Sequence, residues 1–267
     1  MTSSSPSSAP AGLFSLEGTV AWVPGGAGAL GSVISLGLAQ HGAHVVVSAR
    51  VQEKAEAVAQ GIRAAGYSAE GVELDVGDER AVEAQANDIV ARHGRLDSCV
   101  NLAYKSTGKT FDELTSDDWE AGMHVSSTGA FLVARAAGRV MTDGGSIVQF
   151  SSMYGTVSPD PRAYPDTQSV NPPDYGFAKA GIQQLVRYQA VTLAPRGIRV
   201  NSIAPGPFPG EKPQADTEFM DRLSSRVPLG RIGRPAELVG AVVFLCSGAS
   251  SFVTGANIPV DGGWTAW

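Results

Sequence analysis

The sequence has little cysteine: two residues in 267, Cys99 and Cys246, both in apolar stretches. That excludes a disulfide framework and a thiolate metal site, and it is the usage of a reducing compartment. No apolar run is long enough to span a bilayer, so no membrane partner is expected. No block of like charges or basic stripe recommends a nucleic acid, and the formal net charge is −6. The opening MTSSSPSSAPAG lacks the charged start and apolar centre of a secretory signal. Residues 1–14 read as a disordered tail and 15–267 as one domain, with a cytoplasmic location expected. Histidine is scarce as well. His41, His44, His93 and His124 stand apart without ligand spacing, so they read as structural or exposed and no metal site is expected.

What the chain does have is an alternation of strand-like and helix-like segments. TVAWV (19–23), AHVVVS (43–48), 70–75, LDSCVN (96–101), GSIVQFS (145–151), IRVNSIA (198–204) and NIPV (257–260) read as strands. Residues 51–65, 78–93, 124–141, 175–194 and 235–246 read as helices, with a further one up to about Gln40. This order predicts an α/β fold in which a doubly wound parallel sheet carries helices on both faces. Two irregular stretches rich in Pro and Gly, 155–174 and 205–215, follow predicted strand ends, where such sheets bind ligands.

The turn after the first strand is Pro24-Gly25-Gly26-Ala27-Gly28-Ala29-Leu30-Gly31. Glycines there let backbone amides approach a pyrophosphate at a helix N-terminus. The second strand ends Ser48-Ala49-Arg50. An acid at this place accepts the ribose 2′-hydroxyl of NAD, whereas an arginine pairs with a 2′-phosphate, so NADP(H) is favoured over NAD(H). Arg50 as a solvated helix start, or stacked on adenine with either cofactor, remains open. Asp75 is placed either to hydrogen-bond the adenine amino group or to cap the next helix. Asp117 and Asp118 read as caps. Tyr175 and Lys179 stand one helical turn apart on one face. An ammonium beside a phenol favours the phenolate, so Lys179 is expected to lower the Tyr175 pKa and fit it for proton transfer. Ser151 and Ser152, at the end of the preceding strand, offer a hydroxyl to a substrate oxygen.

These segments, with Leu74-Asp75-Val76, Val100-Asn101-Leu102-Ala103, Tyr175-Gly176-Phe177-Ala178-Lys179, Arg199-Val200-Asn201-Ser202-Ile203-Ala204-Pro205-Gly206, Gly233-Arg234-Pro235 and Val260-Asp261-Gly262-Gly263, resemble the short-chain dehydrogenase/reductase family over nearly the whole chain, residues 15–267. The resemblance implies a Rossmann-like domain with a seven-stranded sheet. It also implies hydride transfer between nicotinamide and a carbinol or carbonyl carbon, and a homo-oligomer, usually a tetramer. Residue by residue, it gives Ser152 the substrate oxygen and Tyr175 the proton. Lys179 would hold the nicotinamide ribose. Gly25, Gly26, Ala29, Leu30 and Gly31 would border the pyrophosphate. Arg50, Asp75, Val76, Asn101 and Ala103 fall on the adenosine side, and Pro205, Gly206 and Phe208 near the nicotinamide.

The departures from the family pattern are specific. Pro24 stands where a Thr is usual, and Ala29 replaces a glycine. Tyr104 follows Asn101-Leu102-Ala103 and is expected to shape the substrate pocket. Ser126 stands where the family has an Asn that fixes a water in a proton relay to the lysine, so it inherits the relay role as the shorter residue. Tyr175 follows Ser152 by 23 positions, a longer interval than usual. The insertion, about 156–174, carries Arg162, Tyr164, Asp166 and Gln168 and is expected to overhang the substrate site, with Tyr164 a substrate contact; a surface or subunit-contact loop is the alternative. A second substrate loop is expected at about 205–230. The insertion, Pro205-Gly206-Pro207-Phe208-Pro209 and the ending Gly262-Gly263-Trp264-Thr265-Ala266-Trp267 resemble members acting on sugar acids and polyols, hence a sugar-, polyol- or cyclitol-like small molecule. Trp264 and Trp267 fit a subunit contact or an active-site cover equally. The other functional readings are a non-catalytic NADP(H)-binding sensor, and an epimerase or dehydratase with retained nicotinamide. An enoyl reductase is disfavoured, because there the Tyr and Lys stand further apart.

Overall fold

The computed structural model describes residues 12–166 and 170–267. Most of the expected N-terminal tail, and Gln168 of the insertion, lie outside the described residues. Seven strands form the sheet: β1 (Val20–Pro24), β2 (His44–Ala49), β3 (Ala69–Glu73), β4 (Ser98–Asn101), β5 (Gly145–Phe150), β6 (Ile198–Pro205) and β7 (Asn257–Val260). Their order is β3-β2-β1-β4-β5-β6-β7, and every pairing is parallel. The winding reverses between β1 and β4, which opens a crevice at their carboxyl ends.

The helices are α1 (Ala29–Gln40), α2 (Gln52–Ala64), α3 (Glu79–His93), α4 (Ser116–Met123), α5 (Gly129–Val140), α6 (Pro173–Leu193), α7 (Glu211–Gln214), α8 (Thr217–Ser224) and α9 (Val239–Cys246). Alternate strand residues feed two cores, as the period of two requires. Trp22, Val46, Cys99, Ile147 and Val200 face α3, α5 and α6, meeting Val82, Ile89, Val133 and Ile182. Val23, Val45, Val47, Val100 and Val148 face α1, α2 and α9, meeting Ile34, Leu38, Ala59 and Val242. Each fully buried Val, Leu or Ile contributes about 1.5–3 kcal/mol. The one indole in the first core is satisfied: Trp22 Nε1 donates to Ser48 Oγ (3.0 Å), whose hydroxyl donates to Gln85 Oε1 (3.2 Å).

Local chemistry sets the helix ends. Asp78 caps α3 by accepting from the amides of Arg80 and Ala81, worth about 1 kcal/mol. Gly94 closes the same helix with φ +77°. Thr115 and Asp118 form a reciprocal capping box on α4, so Asp118 serves the cap while Thr115 is the cap residue itself. The helix expected over 124–141 differs in its first turn. His124–Thr128 is a π turn closed by the Gly129 amide on the His124 carbonyl. Pro235–Leu238, expected as α-helix, is a 3₁₀ turn before α9. Cys99 is buried and Cys246 half-buried, and desolvation pushes the Cys99 pKa far up and that of Cys246 up to about 12, so neither is a thiolate at neutral pH. Among the described residues no helix is long and apolar enough to cross a membrane.

Candidate active site

The glycine turn after β1 is shaped by contacts that leave no room for side chains. Gly25 has φ +77°, and a Cβ there would lie 2.6 Å from the Ala103 amide. A Cβ on Gly31 would fall against the Gly25 carbonyl oxygen and 2.8 Å from Gly26 Cα. These approaches fold the turn onto the start of α1. The α1 N-cap is Gly28, with no side-chain cap and no acid in the first turn. Its end amides are therefore free to donate to an anion, with the helix dipole favouring negative charge. Ala29 is the first residue of α1 and is exposed, so its methyl does not crowd the turn. Pro24 ends β1, where a missing amide is tolerated.

A cleft of about 280 Å³ runs along this turn, lined by Gly25, Gly28, Ala49, Arg50, Lys54, Val76 and Ala103 among others. Arg50 is exposed just beyond β2, and Lys54 projects from the first turn of α2 into the same cleft. No carboxylate is among the cleft's described lining residues. Lys54 was missing from the sequence reading; Arg50 precedes the Val51 cap of α2, so the β2–α2 junction and not helical spacing brings the two cations to one cleft. Asp75 does not line the cleft; its carboxylate accepts from the Gly77 amide (2.8 Å), while Asp78 takes the cap of α3. Asn101 is buried and works through the backbone: its amide nitrogen donates to Gln149 Oε1 (2.9 Å) and its oxygen accepts from the Ala103 amide (3.1 Å). It therefore sets the turn that brings Ala103 against Gly25 rather than reaching the adenosine side itself. Gly26 and Gly31 likewise shape the turn, and neither they nor Leu30 lines the cleft.

The chemical end sits at the carboxyl ends of β5 and β6. Ser152 follows β5 and accepts from the Tyr154 amide (3.1 Å) as the cap of a 3₁₀ turn, Met153–Gly155. Tyr175 and Lys179 lie in the first two turns of α6, which begins at Pro173 after Pro172. Lys179 is 3% exposed, and its Nζ donates to the Phe150 carbonyl (2.7 Å). That Nζ lies 5.5 Å from the Tyr175 ring centre and 5.3 Å from that of Tyr104, and the two rings meet edge to face at 5.7 Å.

The expected lowering of the Tyr175 pKa by Lys179 is not what this geometry gives. Burial dominates and pushes the phenol up to about 12, with the hydroxyl of Ser152 pulling the other way. Burial also brings Lys179 down to about 8. The ammonium sits over the face of the ring, bonded to a carbonyl, and does not offset the desolvation of the phenolate.

Ser126 is held by the backbone. It lies in the π turn, and its hydroxyl donates to the Lys105 carbonyl (2.9 Å) and accepts from the Lys105 amide (3.0 Å). Among the described residues no hydrogen bond joins it to Lys179. The shorter side chain pins the loop after β4, which makes Ser126 a positioning residue for that loop. This loop carries Tyr104.

A cavity of about 560 Å³ opens on Ser152 and Tyr175. Its wall includes Tyr104, Tyr154, Tyr164, Asn171, Phe208 and Phe219. The Tyr154 and Tyr164 hydroxyls hydrogen-bond at 2.6 Å. Tyr164, Pro165 and Asn171 come from the insertion, which is tied down by Asp160, paired with Arg162 (2.8 Å) and with Arg226. Phe208, expected at the nicotinamide, lines this cavity with Gly206, Ser152 and Tyr175. Its ring packs where a Cβ on Gly233 would stand. Gly206 also borders the cavity, held by its amide on the Val260 carbonyl (3.0 Å) at the end of β6, which Pro205 closes. Trp264 is buried with Met153, Tyr154 and Leu223 behind this wall, whereas Trp267 is exposed. Tyr154 and Asn171 escaped the sequence reading. Tyr154 lay two residues from Ser152, but Asn171 gave no signal, because loop geometry places it.

A parallel doubly wound sheet with a free helix N-terminus and a Ser-Tyr-Lys group at the strand ends defines a nicotinamide-dependent oxidoreductase. A family model described as enoyl-(acyl carrier protein) reductase matches residues 25–265. The chain is 38% identical over 258 residues to cis-4-hydroxycyclohexanecarboxylate dehydrogenase of Sinomonas cyclohexanicum, covering 92% of this chain and 96% of that one. It is 36% identical over 263 residues to galactitol 2-dehydrogenase of Rhizobium johnstonii, covering 95% and 98%. The crystal structure of a gluconate 5-dehydrogenase from Burkholderia cenocepacia J2315, in complex with NADP and tartrate, superposes with a TM-score of 0.88 at 32% identity, covering 96% and 99%. The chain belongs to the short-chain dehydrogenase/reductase family. It is an NAD(P)(H)-dependent oxidoreductase that interconverts a secondary alcohol and a ketone.

Proposed function

We propose that the substrate is a hydroxylated small molecule of the sugar, polyol or cyclitol kind, that the cofactor is NADP(H), and that Ser152, Tyr175 and Lys179 carry the reaction. The observation behind the substrate class is the cavity at Ser152 and Tyr175, whose wall includes the polar residues Tyr104, Tyr154, Tyr164 and Asn171. Polar side chains at a binding wall favour partners that hydrogen-bond them, because buried polar groups left unpaired are costly. The names of the relatives, acting on a hydroxycyclohexanecarboxylate, galactitol and gluconate, support this reading.

Bound nicotinamide supplies or accepts the hydride. The α1 N-terminus would hold its pyrophosphate and Lys179 its ribose, since one of the three ammonium donors is used on Phe150 and two remain. Ser152 orients the substrate oxygen. Tyr175, uncharged at neutral pH in its buried setting, gives that oxygen its proton during reduction and must shed its own proton for oxidation. Assembly as a homo-oligomer, a tetramer by family resemblance, is part of the same proposal. The exposed apolar residues Tyr188 and Val191 on α6 support it.

The test is a panel of ketones and alcohols with NADPH and with NADH, followed at the reduced-nicotinamide absorbance. Turnover confined to hydroxylated members is the expected result. NADPH bound without turnover of any member would instead support a sensor. Tyr164→Phe should raise KM for hydroxylated substrates by up to about tenfold, the worth of one neutral hydrogen bond, with kcat nearly unchanged. An unchanged KM would remove Tyr164 from the substrate's contacts.

Cofactor preference has its own test. Arg50 and Lys54 give the nucleotide cleft two cations and no described acid, an arrangement suited to a 2′-phosphate. Arg50→Asp should weaken NADPH by about 10–100-fold, as expected for one charge-assisted hydrogen bond lost, and shift preference toward NADH. An unaltered NADPH/NADH ratio of kcat/KM would reject this role.

A further inference from the structure

We infer that His44, Glu70 and His93 form a binding site for a zinc-like divalent cation, remote from the active site. The three residues lie far apart in sequence, which is why no ligand spacing shows there. The fold joins them. Glu70 on β3 pairs in register with Val46 of β2, so His44, two residues before Val46, shares its face of the sheet. The last turn of α3 covers that face and brings His93.

His93 Nε2 lies 3.1 Å from Glu70 Oε1, and His44 Nε2 lies 3.9 Å from the same oxygen. All three ligand atoms fall within 4.8 Å of one another. Zinc bonds of about 2.0–2.1 Å in tetrahedral geometry put ligand atoms roughly 3.3 Å apart, so a small closing movement of His44 completes the set. Two imidazoles and one carboxylate, with a fourth position left for water, suit a borderline ion such as Zn²⁺ better than Mg²⁺ or Ca²⁺.

Two further observations single out this cluster. His44 Nε2 is buried with no hydrogen-bond partner, an orphaned lone pair or N–H turned into the cluster. Its other nitrogen, Nδ1, is held by Ser68 Oγ at 2.6 Å, the outer contact that fixes the orientation of a ligating imidazole. Arg92 is the competing cation. It bonds Glu70 Oε2 and Asp88 (2.8 Å) and reaches His93 Nε2 (3.4 Å), so the ion must displace it from that nitrogen. The two carboxylates outnumber the one guanidinium, and Glu70 Oε1 faces the histidines and not Arg92. The local charge with neutral imidazoles is thus negative.

His44 opens β2, whereas Arg50 follows its far end, so about 20 Å of strand separates this site from the nucleotide cleft. A metal here pins the edge strand β3 to β2 and α3. It would therefore act on stability and not on turnover.

The experiment uses chelator-treated full-length protein titrated with ZnCl₂ by calorimetry, with thermal unfolding at each free zinc level. One ion per chain and an unfolding midpoint that climbs with zinc are expected, because a ligand bound only by the folded state stabilises it by mass action. The His44→Ala/His93→Ala double variant should lose both the binding and the shift while NADPH-dependent turnover stays at the wild-type level. His44→Leu alone, the milder change, should weaken zinc at least tenfold. Absence of binding by the wild type at micromolar zinc would overturn the proposal. Binding retained by either variant would also overturn it and point to other ligands.

Discussion

Tyr175→Phe is expected to reduce turnover by about 10²–10⁴-fold, the usual contribution of a positioned acid or base, while the dissociation constant for NADPH changes by less than about threefold. The substitution removes one oxygen from a ring that keeps its edge-to-face contact with Tyr104. Its packing is unchanged, so a loss of activity reports the missing proton donor and not a loosened site. Single-turnover kinetics with NADPH and a reactive ketone, paired with a fluorescence titration of NADPH, separate the two quantities. Turnover that survives would remove Tyr175 from the chemistry.

Lys179→Met is expected to act on both function and stability, and in opposite directions at neutral pH. Loss of the ammonium removes a charged donor to the cofactor, so NADPH should bind about 10–100-fold more weakly. The stability effect follows from linkage. Burial holds Lys179 at about 8, below the ordinary lysine value of 10.5. Between these values the unfolded chain carries a proton that the folded chain does not, so wild-type stability rises with pH across that window. Below pH 8 both states are protonated and the cost of the buried ammonium is present in full, on the order of 3 kcal/mol. The Met variant has no such group and should lack this slope. Its stability relative to wild type should therefore be about 3 kcal/mol more favourable at pH 7 than at pH 10.5. The hydrogen bond to the Phe150 carbonyl is made by an ammonium at pH 7 and by a neutral amine at pH 10.5, and that change in strength is already contained in the shifted pKa. Urea unfolding of the two proteins at pH 7 and above pH 10 measures this. Parallel pH profiles would mean that Lys179 is solvated in the folded state.

The two substitutions address different parts of one arrangement. In the proposed reaction Tyr175 acts uncharged, a state its burial favours, and Lys179 acts as a donor, whose charge the same burial disfavours. The protein accepts that instability where the cofactor is to be held, as active sites commonly do.

The elements most open to sequence reading were those with a local cause. The β-branched runs of β2 and β6, buried on both faces, have no other stable place than a covered parallel sheet. The glycine turn declares itself because Gly25 needs a positive φ and Gly31 needs empty space. The Tyr175–Lys179 pair is visible because one helical turn fixes its geometry. The π turn at His124–Thr128 was not visible, since no residue type marks an inserted residue within a helix. Its consequence, Ser126 bonded to the backbone of Lys105, depends on a contact 21 residues away.

By itself, the sequence determined the sheet and the glycine turn, which rest on patterns within a few residues, and its family resemblance pointed to Ser152, Tyr175 and Lys179. The tertiary structure alone decided how those groups are tuned. It set the raised pKa of Tyr175 and the lowered one of Lys179, because desolvation depends on what packs around a group and not on its neighbours in the chain. It brought Lys54 beside Arg50 in the nucleotide cleft and Tyr164 of the insertion onto Tyr154. It also gathered His44, Glu70 and His93 from two strands and a helix end. Sequence patterns record periodicity along one element, whereas these groupings arise where separate elements meet.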